Sequence, residues 1–149
     1  MAKVFVVFCF VLSVCAGPAK AEEAMVVERG TEGLVGVPFR VVNESRRPIA
    51  CSAAIAHWYS ARIGSVAPWR RLEAKLWSKP ATGEVFLLNE TQDRMPVQRL
   101  WCGYAGADVS TRSEIGLLRR AETAEPPIEL VCSSGGESQA LDCRRRQGE

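Results

Sequence analysis

The chain has 149 residues, 47% of them hydrophobic, and 19 Lys+Arg against 17 Asp+Glu give it a formal net charge of +2. So balanced a charge lacks the clustered cations on which nucleic-acid binding rests, so no nucleic-acid partner is expected. The length fits one domain with a core of its own.

Residues 1–21 read as a secretory signal peptide: Lys3, the apolar run VFVVFCFVLSVCAG, and small residues at Ala19 and Ala21. The apolar run falls short of the roughly 20 residues that span a bilayer. No other stretch is long and apolar enough, so no transmembrane segment is expected in the mature chain. Cleavage after Ala21 makes 22–149 a single exported domain, periplasmic or extracellular. The competing reading takes Leu12-Ser13-Val14-Cys15 as a lipobox and anchors the protein through a lipid on Cys15. Losing Lys3 and Lys20 leaves 17 cations against 17 anions, and among those cations only Lys75 and Lys79 are lysines. That bias toward arginine is a compositional sign of a GC-rich bacterial source.

The start of the mature chain, 22–31, reads as a first strand or a loose arm. In 34–42 the alternation predicts a strand with Val35, Val37, Phe39 and Val41 on one side; Pro38 places it at an edge or near its own start. NESRRP, 43–48, is a turn. Next, 49–58 is a strand without charge on either face, hence central. The stretch 60–71 reads as a loop, with Gly64 and Pro68. RLEAKLW, 71–77, alternates with Leu72, Ala74 and Leu76 inward. Turns at 78–84 and 91–96 bracket a strand at 85–89, and another strand follows at 97–104. A strand is expected over SEIGLLR, 113–119, and AETAE, 121–125, has room for one helical turn before two prolines. Finally PPIELVC and ALDCR flank SSGGESQ as a hairpin with a glycine-rich loop. Seven or eight short strands predict an all-β, antiparallel β-sandwich, immunoglobulin-like in plan, with a small closed β-barrel as the alternative.

Processing leaves Cys51, Cys102, Cys132 and Cys143, an even set that reads as two disulfides in an exported domain. Cys132 and Cys143 share inward faces of one hairpin, while Cys51 and Cys102 lie on two central strands. The expected pairs are therefore Cys132–Cys143 and Cys51–Cys102, both structural, since neither forms a C-x-x-C motif.

Chemistry is thinly signposted. His57 is the only histidine, which argues against a multi-histidine metal site, and the cysteines are committed to disulfides; no metal and no cofactor are expected. No glycine-rich phosphate loop and no G-x-S-x-G elbow occur. The reading adopted makes His57 the end of a core strand, bonded to backbone. The competing class is a hydrolase of envelope polymers using carboxylates and His57, although no sequence feature selects the carboxylates. Asn43-Glu44-Ser45 and Asn89-Glu90-Thr91 match the glycosylation triplet, but both lie in turns that favour such residues anyway.

Four tryptophans, Trp58, Trp69, Trp77 and Trp101, lie within 44 residues. Trp58 and Trp101 are expected to fill the sandwich interior. Trp69 sits in a loop beside Arg70 and Arg71, and Trp77 points opposite Leu76, so these four residues form the expected binding surface. Indole and guanidinium groups are the side chains that dominate binding hot spots. The tail cations Arg144, Arg145 and Arg146 are expected to be solvated, with docking onto an acidic envelope polymer as the alternative. The leading expectation is a non-catalytic exported protein that binds a protein or an envelope component.

Overall fold

The computed structural model describes residues 27–55, 59–136 and 139–146. The signal segment, Cys15, His57 and Trp58 lie outside them. Among the described residues nine strands follow in order: β1 (Val35–Asn43), β2 (Ile49–Ile55), β3 (Ser60–Val66), β4 (Arg71–Lys79), β5 (Glu84–Leu88), β6 (Arg94–Tyr104), β7 (Ser113–Glu114), β8 (Ile128–Ser134) and β9 (Leu141–Arg145). No helix occurs among the described residues, so 121–125 forms turns and no helical turn.

The hydrogen-bonded order is β3-β2-β6-β5-β4-β1-β8-β9, with β7 added to β6. Its end strands β3 and β9 do not pair with each other, so the sheet is open and no closed barrel forms. The pairing is antiparallel except for β1 with β8, which run parallel from Phe39↔Ile128 to Asn43↔Cys132. Strand β6 serves two layers. Its residues Arg94–Pro96 pair with β5, and Val97–Tyr104 pair with β2 across a register irregularity between Ala54 and Ile55. One layer is then β9-β8-β1-β4-β5 and the other β3-β2-β6-β7, a sandwich-like arrangement in which one strand changes sheets at a bend.

Alternation decides which side chains the sandwich encloses. Val37, Phe39, Val41, Leu76, Ile128 and Leu130 from one layer meet Ile49, Ala53, Leu100 and Tyr104 from the other, all buried in one cluster. Cys51 lies opposite Cys102 and Cys132 opposite Cys143, each pair bonded and with 4.0 Å between Cα atoms. The two bonds meet at the centre: the sulfurs of Cys102, Cys132 and Cys143 lie within 4.8 Å of one another. Disulfides of this kind are compatible with an oxidising compartment.

Several elements differ from the sequence reading. The stretch 60–71 is not all loop, because Ser60–Val66 forms edge strand β3. An edge strand needs only one apolar face and tolerates Arg62 and Gly64, which read as loop residues. The expected strand within 113–119 shrinks to Ser113–Glu114, after which the chain turns back around Glu125. The turn before β6 ends earlier than 96, since Arg94 already pairs with Leu88. Near the start of the described chain, Arg29 makes a single bridge to Asp93 and no strand.

Trp101 is buried, but not between the layers. It lies opposite Ser52, one residue from the Cys51–Cys102 pair, and therefore faces outward from its sheet. The loop 105–112 covers it: Asp108 accepts hydrogen bonds from Trp101 Nε1 and Ser52 Oγ, both at 3.1 Å. Gly103 permits this close cover, because a Cβ there would meet the Asp108 carbonyl oxygen at 2.2 Å.

Candidate binding surface

Asn43, fully buried at the end of β1, organises two turns at once. Its Nδ2 donates to the carbonyls of Arg47 (2.8 Å), Val66 (3.2 Å) and Ala67 (3.2 Å). Its Oδ1 accepts from Ser45 N (2.9 Å) and Ser45 Oγ (2.7 Å). The Asn43 backbone does the rest, donating to Arg70 O and accepting from Trp69 N at 2.8 Å. Since Asn43 is consumed in this way, its glycosylation triplet is closed to modification. In the other triplet, Asn89 Nδ2 and Oδ1 both bond within the 89–93 turn.

The product of this scaffolding is Trp69. Its backbone is left-handed, φ 61°, and its side chain is 66% exposed. A bulky side chain at positive φ is an outlier that costs on the order of 1–3 kcal/mol, and glycine or asparagine would avoid most of it. A buried polar network therefore holds an exposed indole in a conformation that its residue type disfavours. Arg70 and Arg71 follow, both exposed.

Arg71 opens the outer face of the β4-β1-β8-β9 layer. Along β4, Arg71, Glu73, Lys75 and Trp77 point outward, opposite the inward Leu72, Ala74, Leu76 and Ser78. The pairing sets Arg71 beside Val42 and Glu73 beside Arg40, with Glu129 on the far side of Arg40. Arg40 Nη1 donates to Glu129 Oε1 at 2.6 Å. Arg146 joins at the end of β9, its N–H bonded to Glu129 O at 2.8 Å. Together Arg40, Val42, Arg71, Glu73, Glu129 and Arg146, over the buried Val41 and Leu130, line a groove of about 460 Å³. Neither Arg71, Arg146 nor Glu73 has an ion-pair partner among the described residues.

Trp77 shares this face but not the groove. It lies three alternate positions from Arg71, on the order of 20 Å along the strand. Its ring lies against Gly36, with Lys75 Nζ 5.4 Å from the ring centroid, and it is half-buried. The structure thus places Arg71 at one end of the face, directly after the turn that carries Trp69 and Arg70, and Trp77 at the other. The three tail arginines separate: Arg144 pairs with Asp142 at 2.7 Å, Arg145 lies 3.5 Å from Glu125, and Arg146 turns to the groove.

Other charged groups are occupied structurally. Glu125 is buried and accepts the N–H groups of Leu118 (2.7 Å) and Arg119 (3.1 Å). Glu114 is held below the usual carboxylate range by Arg99 and Arg112, which line a smaller recess of about 130 Å³ with Ala54, Ser60, Trp101 and Val109. A hydrogen bond from Arg99 is the largest cause, followed by one from Arg112. Asp93 drops to about 2 because Thr91, Asn89 and Arg29 donate to it. Among the described residues the grouping of potential metal ligands is Cys102, Cys132 and Cys143, whose sulfurs are already bonded in disulfides.

Arg40, Glu73 and Glu129 were not singled out by the sequence reading. Alternation could assign each to an outward face, but only the parallel β1–β8 pairing makes them neighbours. No family model matches this chain, and neither a curated protein nor a solved structure matches it.

Proposed function

We propose that this protein is an exported, non-catalytic β-sandwich that binds a protein or cell-envelope component through Trp69, Arg70 and Arg71, with Trp77 extending the same face. The observation that carries this reading is the exposed, left-handed Trp69 held by the buried Asn43 network. An exposed indole at a backbone position suited to glycine is costly for folding alone, whereas a ligand would recover that cost. Export rests on the segment 1–21, and the two disulfides support it.

The hydrolase reading would need two carboxylates facing a common substrate. Glu73 and Glu129 flank the groove, yet Arg40 stands between them and is already paired with Glu129. That puts a cation where a water and a scissile bond would have to fit, so binding is the better-supported reading.

Capture of partners from cell-envelope fractions tests the proposal, with native protein and Trp69→Asn compared side by side. Asparagine accepts the left-handed turn, so this variant removes the indole and keeps the loop. Loss of the captured component with the variant is the expected result. Equal capture by both proteins would remove Trp69 from the reading. Intact mass of native protein should place its N-terminus at Glu22; a diacylated Cys15 would make it an anchored lipoprotein instead.

A further inference from the structure

We infer that the groove on the outer face of the β4-β1-β8 layer binds an acidic glycan, a sugar polymer bearing carboxylate or phosphate groups. This deepens the binding reading above and rests on it. The groove's charges are unequally committed. Arg40 is satisfied by Glu129, whereas the guanidiniums of Arg71 and Arg146 have no partner among the described residues. Two uncommitted guanidiniums present forked donors matched to carboxylate and phosphate oxygens. Glu73, also without an ion-pair partner among the described residues, is an acceptor for hydroxyl groups. Anions spaced along a hydroxyl-rich chain satisfy both kinds of group; a dense polyphosphate would meet Glu73 and Glu129 as repulsion.

Shape and surroundings agree with the charge. About 460 Å³ lies within the range of small-ligand clefts, and the groove lies open along a sheet face. Its exposed members Arg40, Arg71, Glu73 and Arg146 are charged, whereas its apolar members Val41 and Leu130 are buried and Val42 half-buried, so it differs from the apolar centre of a protein–protein interface. Trp69 N is bonded to Asn43 O, one residue beyond Val42, so the turn that carries the exposed indole adjoins the Val42 end of the groove. There it can stack on a sugar ring, its apolar face against C–H groups.

The test uses purified protein and four probes: an oligogalacturonate, a phosphorylated oligosaccharide, a neutral maltooligosaccharide of equal length and an oligoglutamate peptide. Calorimetry should show saturable binding of one or both acidic sugars and none of the neutral one. The acidic sugar that binds identifies carboxylate or phosphate as the recognised group. Affinity should fall at least tenfold with Arg71→Gln/Arg146→Gln and at least severalfold between 50 and 300 mM salt, about the screening expected of exposed pairs. Glu73→Gln keeps an amide oxygen to accept from hydroxyls and removes a charge that repels the anionic groups, so it should raise affinity, which keeps the proposal testable should the arginine double variant fold poorly. Equal binding of the neutral sugar, preference for the peptide, no binding of either acidic sugar, or affinity unmoved in all these variants would overturn the inference. If the acidic sugars fail while Trp69→Asn still abolishes capture from the envelope, only the glycan inference falls. If Trp69→Asn changes neither capture nor glycan binding, the Trp69 reading fails while the groove stands.

Discussion

Replacing Asn43 should uncouple the scaffold from the surface it holds. In Asn43→Ala the N–H of Ser45 and the carbonyl of Val66 lose their side-chain partner in buried surroundings. Each buried group left unsatisfied costs roughly 1–3 kcal/mol, so the expected loss is about 3 kcal/mol. The carbonyls of Arg47 and Ala67 lie partly exposed, and water can replace what they lose. Asn43→Asp is the sharper test. At neutral pH its second oxygen would face the three carbonyls that Nδ2 now serves, so this near-isosteric change should cost more than alanine does. Acidification should restore part of the stability, because a protonated carboxyl regains one donor. Urea unfolding of the three proteins between pH 4 and 7 measures both effects, and a proteolysis time course reports release of the 67–70 turn. A loss under about 1 kcal/mol in Asn43→Ala, or an aspartate variant as stable as native protein at pH 7, would refute the assignment of Asn43 as the organising residue.

Three further outcomes follow from single contacts. Asp93 has its pKa lowered from 3.8 to about 2, so its contribution is fully present above pH 3.8 and is lost as pH falls through about 2. Acid unfolding of Asp93→Asn should lack that part of the slope. Gly103→Ala would drive a Cβ to 2.2 Å from the Asp108 carbonyl oxygen and 2.6 Å from its Cα. Overpacking against backbone costs typically 1–3 kcal/mol, and Trp101 emission should shift to longer wavelength as loop 105–112 lifts. Arg94, its side chain only 8% exposed, donates to Gly30 O, Glu32 O and Glu28 Oε2. Arg94→Ala should cost about 2 kcal/mol and speed hydrogen exchange at Gly30, whose N–H is bonded to Gln92 O.

Legibility tracked the range of the interaction that decided each feature. Alternation in 34–42 and 71–77 identified β1 and β4 with their buried faces, because period two is local. The absence of charge in 49–55 placed β2 inside its sheet for the same reason, and a glycine-rich loop between two cysteine-ended strands located the last hairpin. The parallel contact between β1 and β8 is different in kind. It joins residues some ninety positions apart, and a one-residue change of register would alter which faces meet. The groove depends on that contact, so Arg40 and Glu129 looked like unrelated surface charges. Trp101 shows a second limit. Burial by a covering loop looks, in sequence, the same as burial between sheets, and the only local hint was Gly103 two residues on. At Trp69 the loop setting was legible. Its left-handed backbone was not, because a bulky residue such as tryptophan is an outlier at positive φ.

The central sulfurs support one last prediction, about partial loss of the disulfides. On the chain-entropy model, Cys51–Cys102, closing a separation of 51 residues, contributes about 4 kcal/mol, and Cys132–Cys143, closing 11, about 3 kcal/mol. Removing both partners of the first bond should therefore cost about 4 kcal/mol plus the packing lost from two buried sulfurs, and leave the second bond intact. Removing Cys51 alone should do something different. It frees Cys102, whose sulfur lies within 4.8 Å of both sulfurs of the remaining bond. In the thiolate form Cys102 can attack either one, forming a new bond to it and expelling the other as a thiolate. Burial disfavours the thiolate, so exchange in the folded state is slow and proceeds mainly during folding or opening. Cys51→Ala should then yield a mixture containing Cys102–Cys132 or Cys102–Cys143, with a broadened unfolding transition. Cys51→Ala/Cys102→Ala should give a single species with the native Cys132–Cys143 bond. Non-reducing peptide mapping distinguishes the two, and a homogeneous Cys51→Ala protein retaining only Cys132–Cys143 after refolding would show that proximity of the sulfurs does not govern pairing.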